Sequence, residues 1–416
     1  MMSEDRKKLA AWVDQERERI VDFFRAFIRC KSPNPPGDTT EAARFIGDFL
    51  RGEGLDFRVI APHDKMPNLV AAFDGARPGK HLVLNGHIDV FPVGDGRDWT
   101  KDPWGGELID GKIYGRGACD MKCGTSASIF TYIFLHRIRE RLKGRLTLTA
   151  VSDEETFGPW GARYLVEHHS EVLGDCLLNG EPGSPYTIRF GEKGPLWLEF
   201  KIRTKGAHGA YTHASESATK LAQRLIADLE IVTEIQPQLS DNIRRSLEAA
   251  RESTDKAMGK GAADIVPKVT LNIGVIEGGL KVNMVPFACR FEADIRLPLG
   301  VTREQVMAEV HKVLVNYPQA SVEEINFNPP SYCPPDGEMV GIIQKNVENL
   351  RGFRPQPIVS LGGTDARLWR YRDIPAYVYG PFPYGMGSAD EHVDLEEFLH
   401  IVRVHVLSAY DYLMAN

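Results

Sequence analysis

Hydrophobic positions follow two alternating rhythms through the first part of the chain. Residues 4–30 and 40–54 carry apolar side chains at helical spacing, and the second run ends at a glycine stop. Short apolar runs at 68–73 (NLVAAF) and 81–86 (HLVLNG) predict strands. Residues 123–142 predict a helix that is apolar on most sides and therefore buried. A strand at 145–152, a helix at 161–169 and a strand at 175–180 continue the series. Strands alternating with helices predict an α/β fold, a mainly parallel sheet with helices on both faces.

Near residue 195 the rhythm changes. The run LWLEFKIRTKG alternates apolar and polar residues, as a sheet exposed on one face does. A helix at 217–232, strands at 268–279 and 287–298, a helix at 302–318 and a strand at 320–329 follow. This β-α-β-β-α-β order predicts a smaller two-layer α+β domain. Residues 238–264 are polar, nearly free of large apolar groups, and read as a partly disordered surface elaboration. The first pattern resumes at 341–352, 375–380 and 396–413. The expected organisation is one domain of residues 1–194 and 331–416, interrupted by a second of residues 195–330.

Two domains also suit a chain of 416 residues, since a single core rarely grows so large. Hydrophobic content of 43% and charged content of 26% are those of a globular protein in water. The formal charge of -7 comes without a basic block, which excludes a nucleic-acid footprint. The charged N-terminal residues lack an apolar leader core, and no apolar run reaches membrane-spanning length. A cytoplasmic protein without membrane attachment is expected. The six cysteines contain no C-x-x-C pair and are expected as free thiols. Cys119 and Cys123 flank Asp120, where a thiolate ligand stands beside the commoner fate of a packed thiol.

Chemistry concentrates just past the ends of the apolar runs. His87 and Asp89 follow HLVLNG, Asp120 stands in YGRGACDMKCG, Glu154 and Glu155 in VSDEET, and Glu181 in NGEP. Strand-end loops are where open α/β sheets place ligands. Carboxylates and imidazole arriving from separate strand ends form a donor set for a divalent metal. His87 and Asp89 are two apart on extended chain and share a face, the arrangement by which a carboxylate orients a ligating imidazole. Glu154 and Glu155 also read as an acid pair favourable to the dipole of the helix that follows.

The strings GHIDVFPVG, WTKDPWGGELIDGKIYGRGACDMKCG, DEET, NGEP, KGAHG, GGLKVNMVP, EADIRLP and GGTDA, in this order, resemble one family. It comprises the co-catalytic metal amidohydrolases and exopeptidases, among them acetylornithine deacetylase, succinyl-diaminopimelate desuccinylase, aminoacylase and glutamate carboxypeptidase. The resemblance implies a catalytic domain interrupted by a lid that often dimerises, and one or two divalent metals per chain (Zn, Mn or Co). It makes His87 and Glu181 ligands of one metal, Asp120 a bridge to a second, and Glu155 a ligand of that second metal. Asp89 would orient His87, and Glu154 would be the general base. Hydrolysis needs such a division, with one carboxylate on the metal and another free to take a proton from bound water. His208 of KGAHG matches a position that reaches across to the partner subunit's site. Asn283 and Arg296 match positions that hold a substrate's carboxylate or backbone, and Gly362, Gly363 and Thr364 a loop lining the same pocket. The resemblance also implies a cis peptide between Asp120 and Met121.

One departure stands out. The family pattern has a metal-binding histidine where GMGSADEHVD places Gly387, while His392 lies beyond the Asp-Glu pair. Either His392 serves the second metal or that metal lacks an imidazole. The expected activity is hydrolysis of a C–N bond in a carboxylate-bearing small molecule, an amide of an N-acyl amino acid or dipeptide-like compound. A branch of similar proteins, the nitroanthranilate aminohydrolases, releases ammonia from an aromatic amine. Phe157, Trp160, Tyr379, Phe382 and Tyr384 are candidates to line a pocket for such a flat substrate. A non-catalytic binding relative is the reading from another class.

Overall fold

The computed structural model describes residues 4–415. Strand Arg77–His87 runs through a nine-stranded sheet, and its side chains show why the chain folds around it. Leu82 and Leu84 enter one hydrophobic cluster and Val83 another, as the two-residue period of a strand requires. Neighbouring strands divide alike, with Leu146, Leu148 and Leu178 in the first cluster and Val151 and Leu177 in the second. A sheet apolar on both faces must be covered on both. Helices Arg17–Arg29, Cys123–His136, Glu338–Arg351 and Leu395–Met414 cover one face. Helices Ala162–His168 and Ala366–Arg370 cover the other.

The strands lie in the order Arg58–Ile60, Asn68–Asp74, Lys143–Val151, Arg77–His87, Cys176–Asn179, Ala376–Val378, Thr187–Glu192 and Ser331–Tyr332, with Gln356–Ser360 also paired to Thr187–Glu192. The central pairings, from Lys143–Val151 across to Ala376–Val378, are parallel. The flanks at Asn68–Asp74 and Ser331–Tyr332 are antiparallel. The fold is thus α/β with helices on both faces, but the sheet is mixed, with a parallel centre. Strands Thr187–Glu192 and Gln356–Ser360 lie outside the hydrophobic pattern read above, because each is short and interrupted by polar residues.

Residues 194–327 contain a second, wholly antiparallel sheet in the order Thr270–Gly278, Ala288–Leu297, Gly194–Arg203, Ala320–Phe327. Leu196, Leu198, Phe200 and Ile202 share a core with Leu221 and Leu225 of helix Ala218–Leu229 and Val306 and Val310 of helix Arg303–Leu314. Capping by Thr302 and Gln305 starts the latter helix.

The segment 238–264 is not a loose elaboration. It forms helices Asp241–Ala249, Arg251–Met258 and, from residue 262, Ala262–Ile265. Ile243 is buried in the core of the large sheet, and Leu239, Leu247 and Met258 pack against it. A few apolar side chains at helical spacing suffice once a ready-made surface receives them. Among the described residues, no helix is long and apolar enough to cross a membrane.

Candidate metal centre

Three parallel neighbours, Arg77–His87, Lys143–Val151 and Cys176–Asn179, end on the same side of the sheet. His87 closes the first, Glu154 and Glu155 follow the second, and Glu181 follows the third. Asp120 lies in the π-helical turn Ala118–Lys122, which leads into the buried helix Cys123–His136, and the Asp120–Met121 peptide is cis as expected. The start of that helix presses on the strand end before Glu181. A Cβ on Gly124 would lie 2.1 Å from the Gly180 carbonyl oxygen, so only glycine allows this approach.

His87 Nε2 lies 3.2 Å from Asp120 Oδ1 and 3.3 Å from Glu181 Oε1. One ligand atom from each of these three residues lies within 4.8 Å of the others, and all three residues are buried. The other ring nitrogen, Nδ1, is 2.9 Å from the main-chain carbonyl of Asp89 and 3.5 Å from its carboxylate. A carbonyl can only accept, so Nδ1 carries the proton and Nε2 is left for a ligand. Asp89 therefore orients His87 chiefly through its backbone. Its carboxylate serves elsewhere, accepting the N–H of Glu154 at 3.3 Å, the N–H of Glu155 at 3.1 Å and the Asn34 amide at 2.9 Å. The imidazole and the glutamate loop are thus tied to one residue.

The site is overloaded with acid. Burial raises Glu181 to about 7, with Asp120 adding to the rise and His87 opposing it. Burial and the charge of Glu181 push Glu154 well up, and burial and Asp120 do the same to Glu155. Burial disfavours an imidazolium at His87, but Glu181 and Asp120 outweigh it and lift its pKa well above the ordinary. Glu155 Oε1 is buried without a hydrogen-bond partner, and buried Glu181 Oε1 has only His87 Nε2 beside it, at 3.3 Å. Buried polar atoms without partners are rare, and like charges crowded out of water call for a cation. The donor set of imidazole and carboxylates fits a divalent metal.

Other expected residues fall elsewhere. His392 is not drawn into the cluster. It opens the short strand His392–Asp394, its ring stacks on Tyr384 with centroids 5.1 Å apart, and its Nδ1 faces the Asp390 carbonyl. Gly387 has a φ of 72°, and a Cβ there would meet only Phe91. Cys119 is a buried thiol whose pKa is driven well up by burial and by Glu391, and all six cysteines are free. His208 and Asn283 are exposed, with the Asn283 carbonyl accepting the Gly209 N–H. Arg296 is paired with Asp294 at 2.9 Å. Thr364 is buried and donates to Glu192 from its N–H and its hydroxyl, while Gly363 faces Phe157. Tyr379 is a core residue, its hydroxyl bonded to the Pro185 carbonyl and to His400, so it lines no pocket.

Three contributors were not singled out from sequence. Arg367 is buried with Nη1 3.5 Å from Glu154 Oε1, and its guanidinium lies 4.7 Å from the centre of the Phe157 ring. Asn34 links Asp89 to Asp153, donating to the latter at 3.2 Å. Glu391 accepts the N–H of Asp120 at 3.1 Å. The only sequence signals were adjacency: Arg367 directly follows GGTDA, and Glu391 belongs to the Asp-Glu pair.

Residues 83–411 match the model of peptidase family M20/M25/M40. The chain is 27% identical over 398 residues to a succinyl-diaminopimelate desuccinylase of Cereibacter sphaeroides, covering 92% of this chain and 96% of that protein. Succinyl-diaminopimelate desuccinylase 2 of Ruegeria sp. is 26% identical over 423 residues, covering 97% and 98%. In fold, the chain resembles the M20 family metallo-carboxypeptidase Sso-CP2 of Sulfolobus solfataricus, with a TM-score of 0.81 and 19% identity over 100% of both chains. It also resembles the di-peptidase Dug1p of Saccharomyces cerevisiae, with a TM-score of 0.80 and 15% identity over 100% of both chains. The chain belongs to peptidase family M20/M25/M40 and is a metal-dependent hydrolase acting on carbon–nitrogen amide bonds of small molecules.

Proposed function

Proceeding from that membership, we propose that this enzyme hydrolyses the amide of an N-acyl amino acid or dipeptide-like substrate, with Glu154 as general base. The single observation that carries the reading is the buried convergence of His87, Asp120 and Glu181 beside a second, unligated carboxylate. His87 Nε2, Asp120 and Glu181 would hold the divalent ion, which when bound acidifies water and polarises the scissile carbonyl. Glu154 would take the proton from the attacking water and return it to the leaving nitrogen. Arg367, in contact with Glu154 Oε1, keeps that carboxylate directed. The backbone amides of both glutamates, held by Asp89, keep Glu154 and Glu155 from exchanging places.

Glu155 and Asp120 alone remain for a second ion, since His392 is turned toward Tyr384 and Gly387 has no side chain. Such a site suits a hard ion such as Mn²⁺, held weakly. Metal content after dialysis is expected to be one tight ion per chain, with a second binding only at high metal concentration. Two tight ions, one of them bound to His392, would overturn this assignment. The function is tested by turnover of N-acyl amino acids, dipeptides and aminobenzoates with Mn²⁺, Co²⁺ and Zn²⁺. Amide turnover with one of these ions is expected; turnover confined to the aminobenzoates would replace the amide reading with an aminohydrolase.

The second domain, residues 195–330, is proposed as a lid that pairs with a second copy. Its edge strand Thr270–Gly278 leaves Ile276 exposed, and Leu280 and Val282 project beyond it. Pairing would place His208 of one subunit over the centre of the other, where it would polarise the substrate carbonyl. His208→Ala and Glu154→Gln, each inactive alone, are then expected to regain activity when subunits are mixed, because one hybrid site has both residues intact. No recovery in verified mixed dimers would mean that His208 serves its own chain or none.

A further inference from the structure

Beside the proposed centre lies a buried ion pair that takes no part in the hydrolytic scheme. Arg116 Nη1 contacts Glu391 Oε2 at 2.6 Å, and the two residues are 2% and 0% exposed. The other oxygen of Glu391, Oε1, accepts the N–H of Cys119 at 3.0 Å and that of Asp120 at 3.1 Å. The Cys119 thiol lies 3.4 Å from the same oxygen. Both carboxylate oxygens are therefore occupied, so Glu391 is not a spare metal ligand. The Glu391 carbonyl accepts the Gly115 N–H at 2.9 Å, which closes a loop around the turn that bears Asp120. Next to it, Asp390 Oδ1 accepts the N–H of Thr100 at 2.9 Å and of Lys101 at 3.2 Å. The Asp-Glu pair thus grips two loops, Asp390 outward at 100–101 and Glu391 inward at 119–120.

We propose that Glu391 is a positioning residue for the metal ligand Asp120, anchored by Arg116. This rests on the reading that His87, Asp120 and Glu181 hold the metal. Cys119 and Asp120 stand in the first turn of Ala118–Lys122, where backbone N–H groups have no carbonyl of their own helix to bond. Glu391 supplies the missing acceptor from a distant part of the chain. With that acceptor in place, the Asp120 carboxylate faces His87 rather than swinging with its loop. The Asp-Glu pair accordingly has work to do even where Gly387 replaces the family histidine.

The test is calorimetric titration of the full chain with Mn²⁺ and Zn²⁺, alongside melting of the metal-free protein. Glu391→Gln keeps an amide oxygen for the two N–H groups but turns its NH2 toward Arg116, and it is expected to bind metal more tightly than Glu391→Ala though less tightly than wild type. Glu391→Ala removes the acceptor and is expected to weaken binding by about 10–100-fold, the usual cost of losing an outer partner of a metal ligand. Should Glu391→Ala fold poorly, the double variant Arg116→Met with Glu391→Met replaces the buried pair by apolar groups of similar size. Replacing the ion pair itself in this way is often neutral or stabilising, so the double variant is expected to be more stable than Glu391→Ala, with the same loss of metal affinity of about 10–100-fold. Wild-type affinity in the alanine or double variant would overturn the proposal. So would a fall in affinity that tracks lowered melting of the metal-free protein and that glutamine fails to rescue. His87→Ala separates the two levels: if it still binds metal, the placement of the metal is wrong, and if it alone loses metal, only the role of Glu391 is wrong.

Discussion

Glu154→Gln is expected to lower turnover by about 10²–10⁴-fold while leaving bound metal close to wild type, the range that a positioned general base supplies. The reason lies in what the substitution keeps. Glutamine retains an oxygen toward Arg367 Nη1, now 3.5 Å from Glu154 Oε1, and it retains the backbone N–H that Asp89 accepts. It removes the ability to take a proton from water. It also resembles the protonated carboxyl that burial and the charge of Glu181 already favour at Glu154 in the metal-free protein. The metal-free variant should therefore melt no lower than wild type. The measurement is steady-state turnover on the best amide substrate, with metal content determined on the same preparation. Loss of metal together with activity would show that Glu154 is a ligand and that Glu155 is the base.

His87→Ala is expected to empty the tight site, weakening metal binding by more than about 100-fold, since loss of even an outer-shell partner costs 10–100-fold. Activity should fall with it, and added metal should restore little. The imidazole is the only nitrogen in the cluster, and its Nε2 lies between Asp120 Oδ1 at 3.2 Å and Glu181 Oε1 at 3.3 Å. Without it, two buried carboxylates face each other and take up a proton in place of the ion. His392→Ala provides the contrast. Its ring lies between Tyr384 and Tyr114, with centroids 5.1 Å and 4.9 Å away, so metal content at the tight site should not change. Mass-spectrometric metal analysis after dialysis reads both variants; a His87 variant that keeps a full complement of metal would move the centre elsewhere.

The amino-acid pattern determined the large features for physical reasons. Leu82, Val83 and Leu84 form a continuous apolar run, which only a strand buried on both faces can bury, so helices above and below had to follow. LWLEFKIR alternates, which requires the opposite arrangement, a sheet covered on one face, and Leu196, Leu198, Phe200 and Ile202 are the covered set. His87, Asp120 and Glu181 were legible as candidates because polar groups directly after apolar runs mark strand ends, and parallel neighbours end together. The resemblance to a known family sharpened their roles. The second sheet's helix–strand order was legible for the same reason of periodicity.

Tertiary structure decided what depends on facing and on distance. Whether Glu391 or His392 turns toward Asp120 is a matter of one residue's direction, and the pairing of His392 with Tyr114 sends the imidazole to the aromatic side. The helices of 238–264 exist because the large sheet offers Ile243 a place to be buried; the segment's own polarity argued against order. Asn34 meets Asp89, and Arg367 meets Glu154, across long stretches of chain where no local periodicity links them. Periodicity reports which face of an element is apolar, because burial is repeated along the element. A hydrogen bond between distant loops is made once, at one distance and angle, and leaves no repeating trace in the sequence.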